Sequence, residues 1–176
     1  MTTPARVQRL VLVGLPGAGK TTTGRALALR LGWNFIDLDT EIERRTGRTI
    51  AELFHSHGEV AFRAMERELT VELSLNTQIV LTPGGGWAAQ PGLMESLPPG
   101  SVVVWLQVSP EEAFRRLRGS PVERPLLSGP DPLAALGSLA EQRTERYARA
   151  DLAVPVDGRS ADDVAEIIIE WLERSI

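Results

Sequence analysis

The feature that most constrains the fold of this chain is the glycine-rich segment Gly14–Thr21, which reads GLPGAGKT. It follows Leu10–Val13, a continuous apolar run typical of a strand buried on both faces. It precedes residues 21–31, whose pattern predicts a helix that ends at Gly32. A strand, this glycine spacing and a helix in that order indicate a loop whose backbone N–H groups surround phosphate oxygens.

Lys20 within this segment is the only lysine among the 19 basic residues. Because the chain uses arginine everywhere else, this position favours a compact, flexible ammonium over a planar guanidinium. In such loops the lysine reaches the β- and γ-phosphates and the following hydroxyl, here that of Thr21, binds Mg²⁺. The alternative is a glycine turn without a ligand. We expect ATP and Mg²⁺ as cofactors, with nucleotide contacts from Gly17, Ala18, Gly19, Lys20, Thr21 and Thr22.

Length and composition narrow the class of protein. The 176 residues suffice for one well-filled domain, so we expect a single domain over 1–176. No apolar stretch has the length of a membrane span, and the net charge of −4 argues against nucleic acid as a partner. The absence of cysteine and the polar start Met1–Gln8, which leaves no room for a signal peptide, favour the cytoplasm. We expect a cytoplasmic monomer that binds a small anion.

Short apolar runs alternate with helical stretches along the whole chain. They are Leu10–Val13, Phe35-Ile36, Ile79–Leu81, Val102–Leu106 and Leu152–Val156. This alternation predicts an α/β fold with a mostly parallel sheet, in which ligands bind outside the carboxyl ends of the strands.

Two segments exceed what strand connections need. Residues 40–75 have helical spacing with a break at Gly58, and we interpret them as a helical substrate-binding insertion. Residues 119–130 contain three prolines and little helical period, and we interpret them as a mobile lid.

Taken together, the motifs of the chain resemble those of the shikimate kinase family, within the P-loop proteins similar to nucleoside monophosphate kinases. Besides the glycine loop, the resemblance depends, in chain order, on Ile36–Asp39, Thr46–Ile50, Gly58-Glu59 before Phe62-Arg63, Pro83–Gly86, Arg124–Leu127, and Arg143 before Arg146-Tyr147. It implies a three-layer α/β/α P-loop kinase fold with a five-stranded parallel sheet, the helical insertion and the lid. It also implies transfer of the ATP γ-phosphate to the 3-hydroxyl of shikimate.

Two aspartates follow the second predicted strand. Since Asp37 and Asp39 alternate along a strand end, we expect them to point to opposite sides and to serve different partners. The resemblance assigns Asp37 to the Mg²⁺ sphere and Asp39 to the substrate hydroxyl, as its base. A helix N-cap is the alternative for Asp39.

The resemblance also places the substrate. Gly84, Gly85 and Gly86 would contact its hydroxyls through backbone N–H groups, and Arg63 and Arg143 would bind its carboxylate, for which a planar guanidinium is suited. Arg63 could instead pair with Glu59 or Glu66. Trp87 departs from the small residue expected after the glycines, and either narrows the pocket or fills space behind the loop.

Further arginines are candidates for the nucleotide. Arg124 in the lid would act on the transferring phosphoryl group, and Arg116 and Arg159 would contact adenine. Seven arginines lie between Arg115 and Arg149, and a solvated helical face paired with glutamates is the alternative for most of them.

Three other functions remain open at this point. Gluconate also combines a carboxylate with hydroxyls, so a gluconate kinase is the nearest enzymatic alternative. A nucleoside monophosphate kinase would call for a denser arginine cluster around its acceptor phosphate. A regulatory module could bind ATP and a metabolite without turnover.

Overall fold

A five-stranded parallel sheet forms the centre of the fold. The computed structural model describes residues 7–120 and 129–175. The strands are β1 (Arg9–Val13), β2 (Asn34–Asp37), β3 (Ile79–Thr82), β4 (Ser101–Gln107) and β5 (Leu152–Pro155). Their order in the sheet is β2-β3-β1-β4-β5, which places the predicted phosphate loop after the central strand.

Six helices accompany these strands in the described part of the chain, five of them between strands and the last after β5. They are α1 (Lys20–Leu31), α2 (Leu38–Thr46), α3 (Ile50–Leu73), α4 (Pro110–Arg118), α5 (Pro132–Tyr147) and α6 (Ala161–Ser175). Helix α1 ends, as predicted, at Gly32, whose φ of 66° lies in the left-handed region.

Side chains alternate across the central strand and give the sheet two apolar faces. Leu10 and Leu12 pack with residues of α1 and α6, whereas Val11 and Val13 pack with residues of α2, α3 and α5. A buried core on each side of one sheet requires helices on both, so the fold has the three predicted α/β/α layers.

Residues 40–75, interpreted from the sequence as an insertion, form most of α2 and all of α3. Gly58 has φ 78° and ψ 171°, so the helical conformation of α3 is interrupted there, as the sequence indicated. Residues 121–128 of the predicted lid, including Arg124, lie outside the described residues. No helix among residues 7–120 and 129–175 combines the length and apolarity needed to cross a membrane.

The prediction that Asp37 and Asp39 alternate along a strand was wrong. Strand β2 ends at Asp37, which is the N-cap of α2 and accepts a hydrogen bond from the Thr40 N–H at 3.0 Å. Asp39 therefore lies in the first turn of α2, two residues after the N-cap, where the alternation of a strand no longer applies. The N-cap considered for Asp39 belongs to Asp37 because the strand ends there.

Candidate active site

The glycine loop after β1 has the backbone that its sequence demands. Gly17 and Gly19 have φ values of 83° and 86°, which residues with a β-carbon rarely adopt. At Gly17 a β-carbon would also lie 2.7 Å from the carbonyl oxygen of Ala113. Lys20 Nζ donates to the carbonyl oxygens of Gly14 at 2.9 Å and Leu15 at 3.0 Å, so its ammonium lies over the loop.

Asp37 joins three elements at the carboxyl end of the sheet. Its Oδ2 accepts hydrogen bonds from the hydroxyls of Thr21 at 3.2 Å and Thr82 at 3.3 Å. Carboxylate and hydroxyl oxygens are hard ligands that suit Mg²⁺, which commonly takes few protein ligands besides phosphate and water. The donor set around Thr21 and Asp37 therefore fits the predicted metal site.

Thr82, the last residue of β3, was missed by the sequence reasoning. Its side chain is buried and donates to a carboxylate 45 positions away in the chain. Its position as the last residue of a buried strand was the available signal. Thr82 thus orients the Asp37 carboxylate that the phosphate loop also contacts.

Asp39 and Glu66 form an acidic pair beside the triple glycine. A β-carbon at Gly84 would lie 3.1 Å from both Asp39 Oδ1 and Glu66 Oε1. Burial, and then the negative charge of Asp37, raises the pKa of Asp39, while Lys20 and Arg63 oppose this shift. Burial also raises the pKa of Glu66, against the hydrogen bond from Arg63. The Asp39 carboxylate is therefore poorly solvated, a condition that makes it a better proton acceptor.

Arg63 projects from α3 towards the same glycines. It donates to buried Glu66 at 2.6 Å and to exposed Glu59 at 3.3 Å, so the predicted pairing alternatives are both present. Its guanidinium lies 5.5 Å from the ring centre of Phe62 and 5.9 Å from that of Phe54. These contacts hold the cation while leaving part of it accessible.

Arg143 approaches the glycines from the other side, on α5. A β-carbon at Gly85 would lie 3.1 Å from its Nη1, which is buried and has no hydrogen-bond partner in the described part of the chain. Tyr147, one turn further along α5, donates its hydroxyl to the Gly85 carbonyl at 3.2 Å. Two guanidinium groups from separate helices thus face one short turn, as two carboxylate-binding arginines require.

A cavity of about 760 Å³ extends from this region across the phosphate loop. Its lining includes Gly17, Gly19, Lys20, Thr21, Thr22, Asp37, Asp39, Gly84, Gly85, Arg116 and Arg159. All these predicted residues therefore share one space, although Arg159 reaches it from the loop after β5. Ala18 belongs to the same loop but is buried in the core, and Gly86, Arg63 and Arg143 lie beside the lining.

Arg116, predicted to contact adenine, makes hydrogen bonds to the backbone of two elements. It donates to the carbonyl oxygens of Ala18 at 3.4 Å and Val156 at 2.7 Å, which joins the phosphate loop to the end of β5. Glu112 accepts from both Arg115 and Arg116, and these hydrogen bonds lower the pKa of Glu112 to about 2. The alternative of glutamate-paired arginines is thus correct for Arg115.

The family model and the relatives that match this chain are all described as shikimate kinases. The family model for shikimate kinase matches residues 16–173. A shikimate kinase from Synechococcus sp. (strain RCC307) is 42% identical over 163 residues, covering 93% of this chain and 83% of the relative. One from Mycobacterium avium (strain 104) is 42% identical over 165 residues, covering 93% of each.

Solved structures agree with the fold. The shikimate kinase from Acinetobacter baumannii in complex with shikimate has a TM-score of 0.88 and 35% identity, covering 97% of this chain and 96% of its own. A gluconokinase from Sinorhizobium meliloti 1021, with a TM-score of 0.62 and 18% identity over 96% of this chain and 94% of its own, shares only the fold. The site combines a phosphate loop with a candidate carboxylate base and two guanidinium groups around one glycine turn. The family model matches nearly the whole length of the chain. This chain therefore belongs to the shikimate kinase family.

Proposed function

We propose that this chain transfers the γ-phosphate of ATP to the 3-hydroxyl of shikimate, giving shikimate 3-phosphate and ADP. Members of this family are ATP-dependent kinases of a small molecule that use Mg²⁺. The single observation that carries the proposal is the arrangement around Gly84–Gly86, where Asp39, Arg63 and Arg143 face one turn beside the phosphate loop. This places an anion-binding end and a proton acceptor within the reach of one small acid.

Carboxylate recognition is assigned to Arg63 and Arg143. Each presents a planar guanidinium, which can donate two parallel hydrogen bonds to a carboxylate. The unpartnered Nη1 of Arg143 is a buried donor, and a carboxylate oxygen would satisfy it. Glu66 neutralises much of the Arg63 charge and orients the group, so Arg143 supplies most of the net attraction.

Asp39 is the proposed base for the acceptor hydroxyl. Its Oδ1 lies beside the open face of Gly84, where the missing side chain leaves room for a substrate hydroxyl. A hydroxyl that donates to this carboxylate would be oriented for attack. Its proton would move to Asp39 as the new P–O bond forms, and the bond from the γ-phosphorus to the bridging oxygen would break, with that oxygen leaving on ADP.

The phosphates belong over the glycine loop, where backbone N–H groups, the α1 N-terminus and Lys20 provide positive potential. Thr21 and Asp37 would hold Mg²⁺, which supplies neutralisation of phosphate charge when bound. Arg116 and Arg159, which also line the cavity, are the proposed contacts to adenine. Arg124 is proposed to act on the transferring phosphoryl group, and it lies outside the described residues.

We further propose that the enzyme acts as a cytoplasmic monomer that does not bind nucleic acid. Every group assigned above comes from one chain, so the site needs no second subunit. The cytoplasm supplies the ATP that the reaction consumes, and a net charge of −4 disfavours a polyanionic partner.

ADP release by the purified protein tests the proposed function. With Mg-ATP, we expect turnover with shikimate and none with gluconate, AMP or no acceptor. Lys20→Ala should abolish this turnover, whereas Arg149→Ala, which removes an exposed ion pair with Glu95, is the matched control and should not. Turnover with gluconate alone would preserve the phosphoryl-transfer roles and refute the substrate, and no turnover with any acceptor would refute the function.

A further inference from the structure

Trp87 is buried directly behind the triple glycine. Its side chain is 0% exposed, and its backbone N–H donates to the Gly84 carbonyl at 3.0 Å, which closes the glycine turn. The indole therefore fills space behind the loop and does not narrow the cavity, which settles the two alternatives raised by the sequence.

The indole nitrogen joins this turn to helix α3. Trp87 Nε1 donates to the Thr70 hydroxyl at 2.8 Å, and that hydroxyl donates to the Glu66 carbonyl at 2.7 Å. Thr70 is 1% exposed, so water does not compete for either bond. The Thr70 hydroxyl accepts one hydrogen bond and donates the other, so the two bonds link the glycine turn to the backbone of Glu66.

A second hydrogen bond joins the segment after the glycines to helix α3. Gln90 donates its backbone N–H to the Trp87 carbonyl at 3.1 Å and its side-chain amide to Glu66 Oε2 at 3.0 Å. The segment after the glycines is thus attached twice to one turn of α3. Arg63 lies on the same helix, three residues before Glu66.

The glycines themselves cannot provide this rigidity. None of Gly84, Gly85 and Gly86 has a positive φ, so their conformation is open to any residue and is not imposed by a special backbone region. Three successive glycines also have the largest conformational freedom to lose on ordering. Their position relative to Arg63 and Glu66 must come from neighbours that are themselves fixed.

We propose that Trp87 is a positioning residue, and that its hydrogen bond to Thr70 sets the distance between the glycine turn and the Arg63–Glu66 pair that receives the acceptor. Only the kinetic consequence of this inference rests on the proposed function, and the structural role of Trp87 does not. Trp87 is fully buried behind the glycine turn, so it acts through Gly84–Gly86 and not on the substrate.

Two variants remove this bond from opposite sides. Trp87→Phe removes the N–H donor and retains most of the ring, and Thr70→Val removes the hydroxyl at nearly constant volume. Trp171→Phe on α6 and Ser74→Ala, which removes a hydroxyl bond to Val71 in the C-terminal region of α3, are the matched controls because neither contacts the glycine turn.

The first measurement is hydrogen exchange of the ligand-free protein over residues 83–90. Both variants should exchange about tenfold faster there than the native protein, since one buried hydrogen bond is lost, and the controls should not. Equal exchange in a folded variant would refute the positioning role. This measurement needs no substrate, so it decides the role of Trp87 even if the proposed acceptor is wrong.

The second measurement is steady-state kinetics. We expect each variant to raise the KM for shikimate by about tenfold, with the KM for ATP changed by less than about twofold. The double variant should resemble the singles because each single variant already removes the bond between Trp87 and Thr70. Faster exchange with an unchanged shikimate KM would refute the kinetic part, as would equal increases for both substrates. Absence of shikimate turnover in the native protein would instead refute the proposed function.

Discussion

Replacing Gly86 with alanine should weaken acceptor binding without unfolding the protein. A β-carbon at this position would lie 2.6 Å from Arg63 Cζ, and it would lie closer still to Nη2. Ordinary contact begins at 3.4 Å, so the separation is 0.8 Å too short at Cζ and shorter still at Nη2, and the guanidinium must move by about 1 Å. Because Gly86 does not have a positive φ, the backbone itself accepts alanine.

The displaced group is the end of a flexible side chain, so the cost falls on function and not on the fold. We expect the free energy of unfolding to change by less than ~1 kcal/mol, since alanine also reduces the entropy of the unfolded chain. Misplacing a binding group by about 1 Å can cost up to roughly a hundredfold, and we expect the KM for shikimate to rise between about tenfold and a hundredfold.

Steady-state kinetics with each substrate varied, together with thermal unfolding, tests this prediction. Gly137→Ala is the control: it lies in α5, where a β-carbon would meet no heavy atom within 4 Å, and it should stabilise the protein by up to ~1 kcal/mol without changing either KM. A shikimate KM within about twofold of the native value in folded Gly86→Ala would refute the assignment of Arg63 to the acceptor, because the movement is of the size that binding groups do not tolerate.

Three further variants test single groups. Asp39→Asn should abolish turnover but unfold at a higher temperature than the native protein at neutral pH. Burial raises the pKa of Asp39 in the folded protein above 3.8, so the stability of the native protein falls as the pH rises through the folded-state pKa. The melting temperatures of the two proteins should therefore converge as the pH falls towards 3.8. Full activity of this variant would exclude Asp39 as the base. Arg143→Ala should raise the KM for shikimate more than the KM for ATP in kinetic assays; the opposite order would place Arg143 at the nucleotide. Asp37→Asn keeps an acceptor for the α2 N-cap, so in Mg²⁺ titrations it should require more metal for half-maximal rate while remaining folded; an unchanged requirement would remove Asp37 from the metal site.

Some features could be predicted because their signal is local. The glycine loop is recognisable since its turns, its lysine and the following helix are contiguous, and the five apolar runs correspond to the five strands of the sheet. The break at Gly58 was likewise visible because a glycine inside a helical pattern needs no distant partner to be noticed. Local signals failed where an element boundary mattered, as at Asp37 and Asp39, because a short strand and a helix start have similar composition there.

The sequence by itself determined the class of fold and the phosphate loop, because each follows from neighbours in the chain, whereas the charged residues proposed for the acceptor were assigned through the family resemblance. Only the tertiary structure decided how these groups are held. Thr82 orients Asp37 across 45 positions, and Trp87 reaches Thr70 across 17, through bonds between elements that no periodicity connects. Hydrogen bonds between buried groups depend on distances of about 3 Å in space, and spacing along the chain does not set those distances until the sheet and helices have packed.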